Sequence, residues 1–292
     1  MLAVRGRPFD SDDHLYEVKW DGTRALVFRE GATLRAHNRR LRPLLERYPE
    51  LDALAALPEG VVLDGEVVVL RDGRPDFPAL LSREQARGRD KAEQLARTAP
   101  ATFVVFDLLY DGYASRMAEP LRDRRARLAE LVAAHPCEGL VFSDGVVGGG
   151  VRYFEEAVAA GLEGVLAKRL ESPYEPGRRS DAWVKLKPVH RLHCLVLGWL
   201  PDGPHGLKSL VIATDDGGGL RCVGKVGSGL TAAVARELVP RLEAAPRDRP
   251  LVPADVPGAR WVEPGLYCVV SCVEFTRSGS LRAPVFLQLV DD

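Results

Sequence analysis

The segment Tyr16-Glu-Val-Lys-Trp-Asp-Gly-Thr-Arg24 decides both the fold and the first functional hypothesis. It predicts a short strand that delivers Lys19 immediately before an Asp21-Gly22 turn. A lysine in this position sits on a rigid element, with its amine directed beyond the strand end. The pattern Lys-x-Asp-Gly alone is weak, because a chance match in 292 residues is an event on the order of one in twenty. A hairpin turn with a solvated lysine explains this segment alone equally well.

The rest of the first 187 residues predicts a mixture of strands and helices without regular alternation. Strands are expected at 14–20, 24–29 and 33–37, as an antiparallel meander, and then at 61–70, 102–110, 163–169 and 182–187. Helices are expected over 44–57, where leucines recur at helical spacing, near 83–97, around Leu121 to Leu131, and at 151–160 before Gly161. This order favours an α+β fold with antiparallel sheets over a doubly wound parallel sheet.

The texture of the sequence changes after Pro188. Short strand-like runs alternate with glycine-rich turns, and one helix is expected near 231–244. Several short strands with a single helix are typical of a small β-barrel. We therefore expect two domains, at residues 1–187 and 188–292.

Composition describes an ordinary globular protein, with 46% hydrophobic and 28% charged residues. The sequence shows neither a run of roughly 18 apolar residues nor a signal peptide, so a cytoplasmic protein without membrane association is expected. The five scattered cysteines lack zinc-site spacing and predict reduced core thiols. Because the net charge is only −1, any affinity for nucleic acid must come from locally placed basic residues and should be salt-sensitive.

Charged residues interrupt strands that are otherwise apolar. Glu66 lies within the run Val61–Leu70, and Glu163-Gly-Val-Leu-Ala-Lys168 repeats the pattern. An unpaired buried carboxylate is costly, so these groups should face a polar cavity that contains partners. Exposed charges on edge strands are the alternative.

Two lysines share one strand face in Trp183-Val-Lys185-Leu-Lys187. Two cations with a common orientation suit a polyphosphate. Taken in isolation, a solvent-facing strand edge is the simpler interpretation of this segment.

Together, five segments resemble, in order, the nucleotidyltransferase motifs of ATP-dependent DNA ligases. They are Lys19-Trp-Asp-Gly-Thr-Arg24, Asp64-Gly-Glu66, Phe106-Asp-Leu-Leu-Tyr110, Glu163-Gly-Val-Leu-Ala-Lys168 and Trp183-Val-Lys185-Leu-Lys187. The stretches 172–180 and 275–286 are similar to the bacterial end-joining type, the ligase module of ligase D and its stand-alone relatives. This resemblance implies an adenylation domain over 1–187 and an OB-fold domain over 188–292.

The resemblance also implies roles for individual residues. Lys19 would attack the α-phosphate of ATP to form a lysyl–AMP adduct, with Lys185 and Lys187 as catalytic phosphate-contacting lysines. Because a free lysine has a pKa of about 10.4, cationic neighbours, desolvation or a metal must activate it.

Other residues would bind the nucleotide. Glu66 and Glu163 would hold the ribose and Mg²⁺, for which Mn²⁺ could substitute. Phe106 would stack on adenine, with core packing as the alternative. Glu17 would contact the adenine edge, and Arg24 the ribose or a phosphate.

The implied reaction is the sealing of 3′-OH/5′-phosphate nicks in double-stranded DNA, in repair or end joining. The implied partners beyond DNA are Ku and a primase-polymerase, and the implied state is a nucleoid-associated monomer. An RNA ligase or capping guanylyltransferase, or a catalytically weak nick-binding protein, are the alternatives. Labelling of Lys19 by ATP or by GTP, and multiple-turnover sealing, discriminate among these activities.

Two segments depart from the family pattern. Ala36-His-Asn-Arg39 has His37 where the family has an arginine, and Val290-Asp-Asp292 stands where the family has a basic Arg-x-Asp-Lys tail. That tail helps to orient pyrophosphate in the family, so we expect slow self-adenylation unless Arg282 or Lys225 substitutes. A chain shortened at its C-terminus is an equally simple explanation.

The departure at the tail makes a first testable prediction. Pre-steady-state adenylation with ATP and Mg²⁺ should be slower than in a relative that carries the basic tail, because two cations near the leaving pyrophosphate are missing. Quenched-flow measurement of the adduct gives the rate. Equal rates in the two proteins would contradict the expectation.

Overall fold

The computed structural model describes residues 1–203, 206–215, 217–276 and 278–290. The chain divides into two compact units, Met1–Lys187 and Pro188–Asp292. Asp291 and Asp292, on which the comparison of the tail depends, lie outside the described residues.

The first unit contains twelve strands, four α-helices and one 3₁₀-helix. The strands are β1 (Leu2–Gly6), β2 (His14–Val18), β3 (Thr23–Glu30), β4 (Thr33–Asn38), β5 (Val61–Arg71), β6 (Arg74–Pro75), β7 (Ala101–Asp111), β8 (Ala114–Ser115), β9 (Leu140–Phe142), β10 (Gly145–Val147), β11 (Val165–Arg169) and β12 (Arg179–Leu186). The helices are α1 (Phe77–Gln85), α2 (Arg89–Thr98), α3 (Leu121–Ala134) and α4 (Gly150–Ala159), and the 3₁₀-helix spans Pro49–Ala56.

Two sheets form the framework of this unit. One has the order β1-β12-β11-β2-β10, and the other has the order β4-β3-β5-β7-β8, with β6 on β5 and β9 on β7. Most pairs are antiparallel, as the sequence predicts, while β1·β12 and β7·β9 are parallel. The α+β class is confirmed.

The expected meander is wrong at its first strand. Strand β2 pairs with β10 and β11, whereas β3 pairs with β4 and β5 in the other sheet. Residues 19–22 therefore carry the chain from one sheet to the other and do not form a hairpin. Local turn propensity at Asp21-Gly22 could not distinguish these outcomes, because both need a tight bend after Lys19.

The helix expected over 44–57 is also partly wrong. Its apolar residues are buried, but the regular part is a 3₁₀-helix at Pro49–Ala56, after turns at 45–47. The segment packs into a core with the sheet that contains β3, β5 and β7, through Leu44, Tyr48, Leu51, Leu54 and Leu57. Near 83–97 the structure has two helices, α1 and α2, because Gly88 interrupts the pattern with a φ of 82°.

The second unit contains nine strands and one helix among the residues described there. The strands are β13 (His190–Asp202), β14 (Gly206–Asp215), β15 (Leu220–Val226), β16 (Pro246–Arg247), β17 (Arg260–Val262), β18 (Tyr267–Cys272), β19 (Glu274–Phe275), β20 (Leu281–Arg282) and β21 (Val285–Val290), and the helix is α5 (Ala232–Glu243). Helix α5 confirms the expectation at 231–244, with Thr231 capping its first turn.

Five of these strands curl into a small barrel in the order β15-β14-β13-β18-β21. A bridge between Val285 and Ser228 connects the last strand to the segment directly after β15, and Phe286 N donates to Ser228 O at 2.8 Å. Helix α5 packs onto the barrel core through Leu238, Val239 and Leu242. This is the OB-like architecture that the sequence predicts.

Two further expectations concern the whole chain. All five cysteines are free thiols, and Cys194, Cys268 and Cys272 are buried. Among the described residues, no helix is long and apolar enough to cross a membrane.

A buried ion pair ties helix α3 to strand β7. The Arg124 guanidinium donates to Asp107 through two bonds of 2.8 and 2.9 Å, and both side chains are fully buried. Arg124 also donates to the Ser172 carbonyl at 3.0 Å, which holds the loop before β12. The pair thus joins three parts of the first unit.

This pair gives a prediction for stability. Arg124→Met should lower the free energy of unfolding by about 3–5 kcal/mol, because Asp107 is left as an uncompensated buried charge. The control is Arg122→Met, an exposed arginine on the same helix. Urea titrations measure both variants, and an equal loss for the two would contradict the prediction.

Candidate active site

Lys19 lies directly after β2, where the chain leaves the first sheet. Its backbone N–H donates to the Gly164 carbonyl at 3.0 Å, so the residue stays tied to the loop that precedes β11. Gly22 then passes so close to β5 that an added Cβ would lie 2.3 Å from the Val67 carbonyl oxygen. Only glycine permits this approach. The Asp-Gly step therefore fixes Lys19 at the junction of the two sheets.

The Glu163 carboxylate bridges two lysines. One oxygen pairs with the ammonium of Lys19 and the other with the ammonium of Lys187. The three side chains are about a quarter exposed, so the cluster is open to solvent on one side. The expected strand positions are slightly wrong here, since Glu163 precedes β11 and Lys187 follows β12.

A cavity of about 250 Å³ opens beside Lys19. Five of the residues singled out in the sequence line it: Lys19, Arg24, Glu66, Phe106 and Lys185. Glu163 and Lys187 reach this group through the ion pairs with Lys19 and with each other. Glu17 does not line the cavity and is fully buried behind it.

Arg24 is held in one orientation by buried acceptors. Its guanidinium donates to both oxygens of Asp64, at 2.9 and 2.6 Å, and to the Met1 carbonyl at 2.6 Å. The Tyr174 hydroxyl donates to Asp64 at 2.8 Å. Proximity to Asp64 raises the pKa of Arg24 above its usual range despite burial, which favours a permanently charged side chain. Asp64, placed by the sequence inside an apolar strand, is thus fully paired.

An aromatic and cationic stack forms one wall of the cavity. The Lys168 ammonium lies 4.1 Å from the Phe106 ring centroid and 4.2 Å from that of Trp183. It also forms an ion pair with Glu17, and Arg125 lies 3.6 Å from the same carboxylate. Burial lowers the pKa of Lys168, while Glu17 opposes that shift. Phe106 is only 4% exposed, so it both packs in the core and borders the cavity.

Glu66 faces the cavity from β5, as expected from its position in an apolar strand. Burial raises the pKa of Glu66 to about 8, although Lys19 and Arg24 pull it down. No cluster of three or more metal-binding side chains occurs among the described residues. Mg²⁺ needs few protein carboxylates, because water and substrate phosphates supply its other ligands, and Glu66 and Glu163 are carboxylates of this kind.

Basic residues also line the cavity, among them Lys185 and Arg179 on β12, the strand that carries Trp183. Burial, together with Arg179, Lys187, Lys19 and Arg5, lowers the pKa of Lys185. Lys185 has no ion pair with any residue the structure describes. Such a group of cations, with a single bridging carboxylate, has the charge that suits a polyphosphate anion.

Sequence reasoning missed two arginines of this cavity. Arg39 and Arg179 both line it, in segments quoted for the resemblance but not assigned a role. His37, which the alignment places at the family's arginine position, lines a neighbouring cavity. Its ring centroid lies 5.8 Å from that of Phe28. Arg39 thus stands two residues from the position at which the family has its arginine, a signal available in the run Asn38-Arg-Arg.

Comparison with protein families and known proteins agrees with this geometry. Residues 6–187 match the family model described as ATP dependent DNA ligase domain, and residues 203–292 match that of the ATP dependent DNA ligase C terminal region. The chain is 36% identical over 295 aligned positions to the multifunctional non-homologous end joining protein LigD of Mycobacterium bovis, covering 97% of the chain and 37% of that protein. It thus spans little more than a third of this relative. It is also 36% identical to DNA ligase C2 of Mycolicibacterium smegmatis, covering 80% of the chain and 66% of that protein.

Solved structures show the same similarity. The ligase domain of LigD from M. tuberculosis superposes with a TM-score of 0.59 at 32% identity, covering 99% of this chain and 94% of that one. A mycobacterial DNA ligase D complexed with ATP and MES gives a TM-score of 0.56 at 32% identity, covering 100% and 94%.

The raised pKa of Glu66 predicts a pH dependence of stability. Between about 4.5 and 8 the folded state binds the Glu66 proton and the unfolded state releases it, so this carboxyl makes stability fall as pH rises. Glu66→Gln should therefore gain stability relative to wild type across this window, with no further change above it. Urea titrations at stepped pH in EDTA measure the difference. Glu155→Gln on the exposed face of α4 is the control, and parallel profiles for wild type and Glu66→Gln would refute the prediction.

Proposed function

We propose a nick-sealing activity for this chain, which belongs to the family of ATP-dependent DNA ligases. The observation that carries the proposal is the position of Lys19 at the junction of two sheets, where it lines a cavity with Lys185 and is paired with Glu163. In this role the first unit is the adenylation domain and the second unit is the OB-fold domain. ATP is the nucleotide that the family uses.

Lys19 is the nucleophile of the first step. Its ammonium must lose a proton before the nitrogen can attack, and the Glu163 carboxylate that holds it is the acceptor at hand. The nitrogen then forms a bond to the α-phosphorus, and the bond to the pyrophosphate oxygen breaks. The product is lysyl–AMP, and pyrophosphate leaves with the electron pair.

Lys185, Lys187 and Arg179 stabilise the charge that develops during this transfer. All three lie on or directly after β12. Lys185 and Arg179 line the cavity, while Lys187 shares Glu163 with the nucleophile. Cations fixed on a strand stabilise charge without reorganising, which is the main electrostatic contribution in phosphoryl transfer.

The nucleoside half binds against the aromatic wall. Phe106 and Leu166 offer apolar surface for the base, and Arg24 offers a fixed guanidinium for the ribose or a phosphate. Glu17 lies behind Phe106, paired with Lys168, so in the present arrangement it positions the wall. Contact between Glu17 and the adenine edge requires that pair to open.

Glu66 and Glu163 would hold the divalent ion, together with the phosphates of the substrate. The pair fits Mg²⁺, which needs few protein carboxylates. When bound, Mg²⁺, or Mn²⁺ in its place, supplies charge neutralisation at the reacting phosphate. Glu163 is already paired with Lys19 and Lys187, whereas Glu66, whose pKa burial raises to about 8, must release its proton to hold the ion.

The later steps use the same cavity. AMP passes from Lys19 to the 5′-phosphate of a nick, and the 3′-hydroxyl then attacks that phosphate and releases AMP. The substrate is nicked double-stranded DNA, and the chain acts as a nucleoid-associated, cytoplasmic monomer. Since the relatives named above include non-homologous end joining proteins, the proposed setting is DNA end joining, with Ku and a primase-polymerase as partners.

Removing the nucleophile tests the proposal. Lys19→Ala should lose multiple-turnover sealing of a nicked duplex to the background level, because the covalent carrier of AMP is gone. The matched control is Lys91→Ala, an exposed lysine on α2. Gel assays on all-DNA nicks and on nicks containing RNA measure sealing and strand preference together. Sealing by Lys19→Ala at the rate of the control would refute the mechanism.

A further inference from the structure

The chain crosses between the two sheets of the first unit a second time, at Ser143. Strand β9 belongs to the sheet of β7, and β10 belongs to the sheet of β2. Residues 143 and 144 therefore carry the chain between the sheets, in the direction opposite to that of residues 19–22. Ser143 is fully buried, and its backbone N–H donates to the Val105 carbonyl at 2.8 Å.

A hydrogen bond joins the two crossings. The Trp20 indole N–H donates to the Ser143 hydroxyl at 3.0 Å. Trp20 directly follows Lys19 and lines the same cavity. Because the hydroxyl is held in a buried position, this bond fixes the path of the chain just after Lys19.

Arg125 holds the second crossing from helix α3. Its guanidinium donates to the Phe106 carbonyl at 3.2 Å and also to the Ser143 carbonyl. The central guanidinium carbon lies 4.2 Å from the Phe142 ring centroid, and the Glu17 carboxylate is 3.6 Å away. The side chain is almost completely buried. One arginine thus connects the aromatic wall of the cavity, the second crossing and the strand that leads to Lys19.

The bonds of Arg125 differ from those of another buried arginine. Arg83 on α1 donates to both oxygens of Glu50, a pair that supplies the counter-charge a buried guanidinium needs. Arg125 has no such bidentate partner among the described residues, and the Glu17 carboxylate near it also serves Lys168. Its two hydrogen bonds go to backbone carbonyls. Arg125 therefore connects chain segments that meet at the cavity.

The relative position of the two sheets sets the geometry of the cavity. Lys19 and Lys185 extend from the sheet of β2, whereas Glu66 and Phe106 extend from the sheet of β7. A shift of one sheet against the other would change the distance between the aromatic wall and the Lys19 amine. In-line attack depends on this distance, because a misplacement of about 1 Å can lower a rate about 100-fold.

We propose that Arg125 and Ser143 are positioning residues that lock the sheet junction and align Lys19 with the α-phosphate of a nucleotide held against Phe106. Arg125 fixes the Phe106 and Ser143 carbonyls relative to each other, and Ser143 transmits the constraint to Trp20. Neither Arg125 nor Ser143 lines the cavity, so both act through their neighbours. This inference rests on the proposed ligase function and deepens it, because it names what holds the nucleophile in register.

Single-turnover adenylation at saturating ATP and Mg²⁺ separates alignment from stability. The amplitude reports the folded fraction, which circular dichroism measures independently, and the rate constant reports the alignment of the folded molecules. Arg125→Gln should lower the rate constant about 100-fold, and Ser143→Ala about tenfold, at amplitudes that match the folded fraction. Ser143→Ala removes only a hydroxyl and decides the proposal should Arg125→Gln fail to fold.

The matched control is Arg83→Gln, which removes another buried arginine whose partners lie outside the cavity. It should lower stability and leave the rate constant of the folded fraction at the wild-type value. An equal loss of rate constant in Arg83→Gln and Arg125→Gln would overturn the proposal. So would a wild-type rate constant in Ser143→Ala.

A double-mutant cycle tests the bond between the crossings. Trp20→Phe keeps an aromatic ring and removes the indole donor, so it should slow adenylation about as much as Ser143→Ala. The double variant should be no slower than either single variant, because both changes break the same bond. Multiplied effects in the double variant would contradict the link through Ser143.

The same measurement separates this inference from the proposed function. Absence of the AMP adduct in wild type would reject the ligase function itself. An adduct that forms at the wild-type rate in the Arg125 and Ser143 variants would reject the positioning role alone.

Discussion

The approach of Gly22 to the backbone of β5 is the constraint on which the site depends. Because a Cβ there would meet the Val67 carbonyl at 2.3 Å, the chain can cross between the two sheets only with glycine at this point. The crossing leaves Lys19 at the sheet junction, tied to the Gly164 carbonyl at 3.0 Å. The loop that follows α4 thus brings Glu163 to Lys19. A strand-end lysine and a distant carboxylate meet through backbone geometry.

Around this junction, charges are paired before any ligand binds. Glu163 serves two lysines, Asp64 holds Arg24, and Glu17 holds Lys168. Each pair fixes a wall of the cavity, so a phosphate or a metal ion would exchange partners within an ordered network. Lys185 differs because burial and neighbouring cations both lower its pKa, and it has no ion pair among the described residues that would keep it from an anion. Preorganised charge of this kind is the main requirement of phosphoryl transfer.

Much of this arrangement could be predicted from the sequence, and the errors are informative. Apolar runs gave the strands at Val61–Arg71 and Ala101–Asp111 almost to the residue, because buried strands repeat a strong pattern. The expected pairing of β2 with β3 was wrong, because the sheet to which a strand belongs depends on long-range contacts that a local turn signal does not contain. The lack of long-range information in local sequence also explains which cavity residues were missed. Lys19, Glu66 and Lys185 were identified from motifs, whereas the motifs assigned no role to Arg39 and Arg179, whose place in the cavity depends on tertiary packing.

The central claim is that the Lys19 amine carries AMP covalently. Mass spectrometry of the intact chain after incubation with ATP and Mg²⁺, followed by peptide mapping, tests it most directly. The account predicts the mass of one adenylate, located on the peptide that contains Lys19, and its absence when GTP replaces ATP. An unmodified chain, or an adenylate on another residue, would contradict it.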